Sequence, residues 1–201
     1  MLSKEYYYLA GALKDGSIYY YGRTRNYYII WYSKSFEYLT DVICGKLQRI
    51  GFERCQPYRY KKKNYRVRIS SKKLYEVFII QFDHSVNKCM NKWEVPNALR
   101  KADLDRRLEY VKGFADAEGS VIESSKGVQI DISQKCREAL EFLKEVLEKL
   151  GIRVTGIYLG KDNVWRLRIA SYESIIKFNS VVGFSHPDKK GKLLRILARK
   201  V

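Results

Sequence analysis

Val128, Ile130 and Ile132 alternate with Gln129, Asp131 and Ser133, the period of a strand with one apolar and one polar face. A short strand over 120–124 precedes it, and Ser125, Lys126 and Gly127 join the two as a hairpin. Downstream, Leu140, Leu143, Leu147 and Leu150 recur at helical spacing over 136–150, and Gly151 closes that helix. Upstream, residues 103–117 also carry helical apolar spacing, and Glu118-Gly119 ends them with Gly as the C-terminal stop. Strands near 155–159 and 164–170 turn at Lys161-Asp162-Asn163, and helices near 172–181 and 189–200 complete the unit.

The first half has the same order. A helix runs to residue 14, strands lie near 17–21 and 27–32, and a helix covers 36–50. A hairpin spans 58–70 and a helix 72–82. The halves also align in sequence. Tyr65-Arg66-Val67-Arg68-Ile69 matches Trp165-Arg166-Leu167-Arg168-Ile169 at an offset of 100, as Leu47 to Gly51 matches Leu147 to Gly151. The offset is 101 between Tyr32-Ser33-Lys34-Ser35 and Ser133-Gln134-Lys135-Cys136, and 103 between Lys14-Asp15-Gly16-Ser17 and Ala117-Glu118-Gly119-Ser120. Such drift reads as loop-sized steps between two tandem copies. The linker is placed at about 91–97, around Pro96, dividing the chain into 1–97 and 98–201. The expected class is α+β: per copy, four antiparallel strands with helices on one face, the other face open to a partner.

Composition says what that partner is. Among 201 residues, 39 Lys and Arg oppose 22 Asp and Glu, a net charge of +17, and both halves are basic. That excess exceeds what solubility needs and points to a polyanion, most often nucleic acid. With 46% hydrophobic residues the chain can bury a core. No apolar run approaches the roughly 18 residues of a membrane span. The N-terminus lacks the apolar core of a signal peptide, so a cytoplasmic protein without membrane contact is expected. Four scattered cysteines and two histidines argue against a zinc site or a disulfide framework, and the cysteines are expected as thiols.

On the open faces, alternation turns Arg66 and Arg68 outward in the first copy and Arg166 and Arg168 in the second. Nearby turns add Arg23, Arg25, Arg59, Lys61, Lys62 and Lys63, then Lys161 and Asn163. The polar positions Ser33, Lys34, Gln129, Asp131, Ser133 and Lys135 complete the candidate DNA-binding set. Two-stranded ribbons fit the major groove, where such side chains reach base edges and phosphates.

Asp15 and Glu118 each precede the Gly that ends the first helix of their copy. A carboxylate there faces the negative end of the helix dipole. Its recurrence at equivalent positions suggests divalent cations, and oxygen ligands suit Mg²⁺. If pseudo-twofold symmetry pairs the two helices, both acids converge on a midline suited to metal-assisted phosphodiester hydrolysis.

The segment Val111-Lys112-Gly113-Phe114-Ala115-Asp116-Ala117-Glu118-Gly119 resembles the LAGLIDADG motif of homing endonucleases, and Leu9-Ala10-Gly11-Ala12-Leu13-Lys14-Asp15-Gly16 resembles a first copy. The resemblance implies two pseudo-symmetric αββαββα repeats whose saddle-shaped antiparallel sheets straddle duplex DNA. It implies paired motif helices, with Gly113 and Ala117 at the interface. For the first helix, Ala10 takes the close contact if the acids stay in register, and Gly11 takes it if the helix end is one residue shorter. It further implies two or three divalent ions, Mg²⁺ with Mn²⁺ or Ca²⁺ accepted in vitro. Their ligands would be Asp15, Glu118 and the carbonyls of Lys14 and Ala117. Gln134, matched by Ser33, corresponds to a residue that orders water or metal, and Lys189, with Lys88 as a first-copy counterpart, to a basic residue near the scissile phosphate. The implied activity is site-specific double-strand cleavage of a long target with 3′ overhangs, by a monomer, with intron RNA as a second candidate partner. Alternatives are a non-cleaving intron RNA maturase or transcription regulator of the same fold, or a non-catalytic RNA-binding module.

Overall fold

The computed structural model describes residues 2–84, 93–124 and 127–199. They form two compact units, residues 2–84 with 96–117 and residues 93–95 with 118–199. Each unit holds a four-stranded antiparallel sheet, and the two have the same strand order. The α+β class is as expected. The repeat boundary at 97/98 divides the sequence, whereas packing gives 96–117 to the first unit. Residues 91–92 of the linker and 125–126 of the second hairpin turn lie outside the described residues.

In the first unit the strands are β1 (Gly16–Tyr21), β2 (Asn26–Ser33), β3 (Tyr58–Lys61) and β4 (Asn64–Ser70), ordered β1-β2-β4-β3. Ile18, Ile29 and Ile69 lie opposite one another, as do Trp31 and Val67, and all are buried on the helix-covered face. Helix α1 (Lys4–Ala12) buries every residue from Tyr7 onward, the signature of a helix enclosed on all sides. A short helix α2 (Gly45–Arg49) extends a π-helical turn over Tyr38–Cys44, and α3 (Lys72–Glu76) runs into a second π turn over Val77–Gln81. The helix α4 (Asn97–Lys101) was not expected; it follows Pro96 at the edge of the linker. Helix α5 (Leu104–Glu118) closes this unit and leads into the second sheet.

The second sheet comprises β5 (Gly119–Ser124), β6 (Gly127–Gln134), β7 (Gly156–Leu159) and β8 (Trp165–Ile169), ordered β5-β6-β8-β7. Its covering helices are α6 (Arg137–Lys149), α7 (Tyr172–Val181) and α8 (Pro187–Ala198). Leu140, Leu143 and Leu147 of α6 are fully buried, and Gly151 ends the helix at φ +72°. Helix α8 starts two residues before the expected 189, because Pro187 takes the first helical position.

The drift between the copies is not confined to loops. The register pairs Ile29 with Ile69 and Ile130 with Ile169, so the first copy holds one extra residue between β2 and β4. Leu47 already has its partner at offset 100, which puts the insertion in the helix that follows β2. The π turn Tyr38–Cys44 absorbs it, where α6 is regular.

Cys44 and Cys55 are joined as a disulfide, with Cα atoms 5.3 Å apart, correcting the expectation of free thiols. The end of the π turn and the loop after α2 bring together cysteines 11 residues apart, and their spacing shows no metal or redox motif. Cys136 is a free thiol, and Cys89 lies outside the described residues. By the chain-entropy relation, a cross-link closing a loop of this size stabilises by about 3 kcal/mol. The double variant Cys44→Ser/Cys55→Ser is expected to lose about 2–3 kcal/mol in urea unfolding. Reductant should lower the wild-type midpoint similarly and leave the variant unmoved.

Candidate active site and nucleic-acid interface

Helix α1 packs on α5 inside the first unit through two glycines. A Cβ on Gly11 would lie 2.7 Å from the Phe114 amide nitrogen, and one on Gly113 would lie 2.8 Å from that of Ala12. These are backbone atoms, so no side-chain motion relieves the overlap. Gly11 therefore makes the close contact, and Ala10 is a buried neighbour. The register conflict is resolved at the helix end, where Leu13–Asp15 tightens into a 3₁₀ turn. One α residue at about 1.5 Å and three 3₁₀ residues at about 2.0 Å rise about 7.5 Å, as five α residues do. Four residues from Gly11 thus carry Asp15 as far along its helix as five carry Glu118 from Gly113.

Each acid is followed directly by the first strand of its sheet. The two following glycines are not left-handed stops, which corrects the reading from sequence. Gly16 is extended at φ −129°, and Gly119 is not among the positive-φ glycines. Gly16 is required by space, since its Cβ would meet the Ile30 carbonyl oxygen at 2.6 Å.

Side chains from the sheet and from the segment after the second π turn hold the end of α1. The Trp31 indole N–H donates to the Leu9 carbonyl at 3.1 Å, and His84 Nε2 donates to that of Ala10 at 2.8 Å. Burial, and secondarily the nearby Lys14 ammonium, hold the His84 pKa well below the ordinary histidine value. The unfolded chain takes up this proton near pH 6.5 and the folded chain resists it, so stability is full above pH 6.5 and declines below it. Between pH 7.5 and 5.5 the urea midpoint of the wild type is expected to fall more than that of His84→Gln.

Three further side chains brace α5. Asp116 is buried and accepts a hydrogen bond from the Tyr8 hydroxyl, which lies 3.3 Å from that of Tyr38. Tyr38 stands on the inserted π turn. Burial first, with the Asp116 charge adding to it, raises both tyrosines well above the ordinary phenol range, so both stay protonated. The sequence signal for Asp116 was an acid among buried helix positions; nothing linked it to tyrosines so distant in sequence.

Asp15 is exposed and lines a cavity of 370 Å³ with Tyr32, Ser33, Lys34, Tyr60, Lys61 and Asn64. A carboxylate beside two lysines suits a divalent ion together with phosphate. Lys14 is half-buried, with its ammonium 5.9 Å from the Phe114 ring centre. Ala117 and Glu118 are half-buried at the end of α5. Gln134 ends β6, and its Oε1 accepts from the Lys135 amide at 2.7 Å. Lys189 lies in the first turn of α8, beyond the N-cap His186. Lys88 lies outside the described residues.

The ring of candidate DNA contacts is partly gathered. Ser17, Tyr19, Tyr28, Ile30, Tyr32, Arg66 and Arg68 share the open face of the first sheet by register. Arg23 and Arg25 sit exposed in its β1–β2 turn, and Lys63 in the β3–β4 turn. Arg59 pairs with Tyr65, and Tyr65 with Ser33, so Arg59 and Ser33 belong to the opposite side. In the second sheet Gln129, Asp131, Ser133, Arg166 and Arg168 share the open face, with Lys135, Lys161 and Asn163 exposed beyond it. Asp131 differs from expectation in being 2% exposed. It accepts from Arg168 Nε at 2.9 Å and from the Tyr158 hydroxyl at 2.9 Å.

The donors available for a metal are hard oxygens. Among the described residues no three His, Cys, Asp or Glu side chains cluster to form a complete cage. That set fits Mg²⁺, which binds through one or two carboxylates with phosphate and keeps several waters. Among the described residues no helix is long and apolar enough to cross a membrane.

Residues 105–183 match the model of the LAGLIDADG-like domain. The chain is 53% identical over 195 residues to homing endonuclease I-ApeI of Aeropyrum pernix, covering 96% of this chain and 87% of that protein. The structure of I-DmoI in complex with DNA and Mn superposes with a TM-score of 0.68 at 23% identity, covering 91% of this chain and 98% of the other. The N-terminal LAGLIDADG domain of WhiA gives a TM-score of 0.59 at 16% identity, over 97% of this chain and 88% of that one.

Proposed function

The chain belongs to the LAGLIDADG homing endonuclease family, and on that premise we propose that it is a site-specific DNA endonuclease that hydrolyses both strands of a long duplex target with Asp15 and Glu118 as its acids. The observation that carries this reading is the same junction in both repeats: a glycine-packed helix, an acid, then the first strand of an open sheet.

Asp15 and Glu118 would hold divalent metal, with the carbonyls of Lys14 and Ala117 as further oxygen donors. Mg²⁺ is the proposed ion, two or three per active protein; related I-DmoI structures contain Mn or Ca. When bound, the ion supplies Lewis-acid polarisation of a phosphoryl oxygen and a more acidic water. Lys34 and Lys61, beside Asp15, hold phosphate oxygens in place as point charges. Lys189 neutralises charge that develops on the scissile phosphate, and Gln134 orients water. The carboxylate pair thereby serves one strand each, leaving staggered ends with 3′ overhangs. Duplex DNA is favoured over intron RNA because sheet ribbons of this kind enter a DNA major groove and not the deep, narrow groove of RNA. A monomer suffices, since one chain carries both repeats.

The reading is tested by incubating the protein with long duplex DNA in Mg²⁺, Mn²⁺, Ca²⁺ or chelator. Discrete fragments are expected with Mg²⁺ or Mn²⁺ and none with chelator. Fragments that persist in chelator, or DNA left intact under every metal while still bound, would overturn it.

A further inference from the structure

The repeated arginines do not have equivalent surroundings. In the first sheet, Arg66 stacks between tyrosines, its guanidinium carbon 4.3 Å from the Tyr60 ring centre and 4.9 Å from that of Tyr58. Arg68 lies 5.1 Å from the Tyr28 ring centre. Among the described residues neither has a carboxylate within ion-pair distance, and the buried Arg66 Nε has no hydrogen-bond partner. Tyrosine faces hold these cations in position without cancelling their charge.

In the second sheet both arginines are engaged by acids. Arg168 makes a two-pronged pair with Asp131, Nε to Oδ1 at 2.9 Å and Nη2 to Oδ2 at 2.8 Å. The Asp131 side chain is only 3% exposed, so solvent screens this pair little. Arg166 pairs with Asp162 in the neighbouring turn at 2.6 and 2.9 Å. The register identifies the switch. Arg68 lies opposite Ile30, whereas Arg168 lies opposite Asp131, and Ile30 and Asp131 are the same position in the two copies.

We propose that Asp131, with Asp162, is a specificity-determining residue that withdraws the second sheet's arginines from phosphate binding, so that strand arginines supply ionic affinity for DNA in the first sheet but not on the open face of the second. On the open face itself, inside the flanking Lys135 and Lys161, the groups left are Ser120, Gln129 and Ser133, together with the fixed Asp131–Arg168–Tyr158 network. Arginines that pair with phosphate bind every sequence alike, and arginines whose charge is cancelled add little to binding away from the target.

This inference rests on the protein being a DNA endonuclease, and the test separates the two. The probe is the full chain on a short duplex of random sequence, in Ca²⁺, with affinity measured against salt concentration. Each cation that releases a counterion contributes about one to the slope of log K against log salt. Arg66→Ala and Arg68→Ala are each expected to lower the slope by about 1. Arg166→Ala should leave it unchanged. Asp131→Asn and Asp162→Asn should each raise it by about 1 and tighten random-duplex binding several-fold. Asp162 is an exposed turn residue, so its variant folds whatever becomes of the buried Asp131. Equal losses from Arg66, Arg68 and Arg166, or slopes unmoved in both Asp variants, would overturn the inference while leaving the endonuclease intact. No duplex binding by the wild type would overturn the endonuclease instead.

Discussion

Asp15→Asn and Glu118→Gln are each expected to lower double-strand cleavage by about a thousandfold or more, with DNA affinity kept within a few-fold. In the proposed role each acid is a metal ligand, and removing one forfeits several kcal/mol of charge stabilisation at the phosphoryl group, where each 1.36 kcal/mol is about tenfold in rate. The amides keep the size and shape of the acids, so the helix ends and sheets stay in place. Asp15 is exposed at the end of its 3₁₀ turn, which makes a folding defect in its variant implausible as a cause of lost activity. Any product that remains should be nicked duplex, because the proposed mechanism gives each acid one strand. Single-turnover cleavage and gel mobility in Ca²⁺ separate the two effects. Cleavage at the wild-type rate in either variant would remove that acid from the chemistry.

Gly11→Val and Gly113→Val are expected to cost about 3 kcal/mol or more of folding stability, at the upper end of what overpacking does. The added atoms would strike the backbone of the facing helix, at the Phe114 amide from one side and the Ala12 amide from the other. Helices whose backbones touch can only move apart, and these two lead directly to the acids. Cleavage should therefore fall with stability. Gly45 is the control: it starts α2, and a Cβ there meets nothing within 4 Å. Gly45→Ala should be neutral or stabilising by about 0.4–1 kcal/mol, because it restricts the unfolded chain. Urea midpoints of the three variants test the contrast.

The features that the sequence made legible share one property: they are periodic. Alternation at Val128, Ile130 and Ile132 marked β6, and the leucine spacing marked α6. The doubled acid-glycine junction was visible because it occurs twice. What escaped depends on pairings distant in sequence or on sub-turn changes in helix pitch. A 3₁₀ turn over Leu13–Asp15 and a π turn over Tyr38–Cys44 change no hydrophobic pattern, yet each shifts the register between copies by one residue. Cys44 and Cys55 gave no spacing signal for their disulfide. Outward-facing parity placed Arg68 and Arg168 correctly, but only coordinates distinguish a guanidinium on Tyr28 from one on Asp131. His84 and Asp116 act on α1 and α5 through hydrogen bonds spanning 74 and 108 residues.

The most direct test of the central claim is to digest a large randomised duplex library with the wild-type protein in Mg²⁺ and sequence the new ends of both strands. The account predicts one recurrent, long, nearly asymmetric motif, cut at fixed positions on each strand with 3′ overhangs, and lost when Asp15→Asn or Glu118→Gln replaces the wild type. Enrichment of bound sequences with no new ends, or ends scattered without a motif, would contradict it.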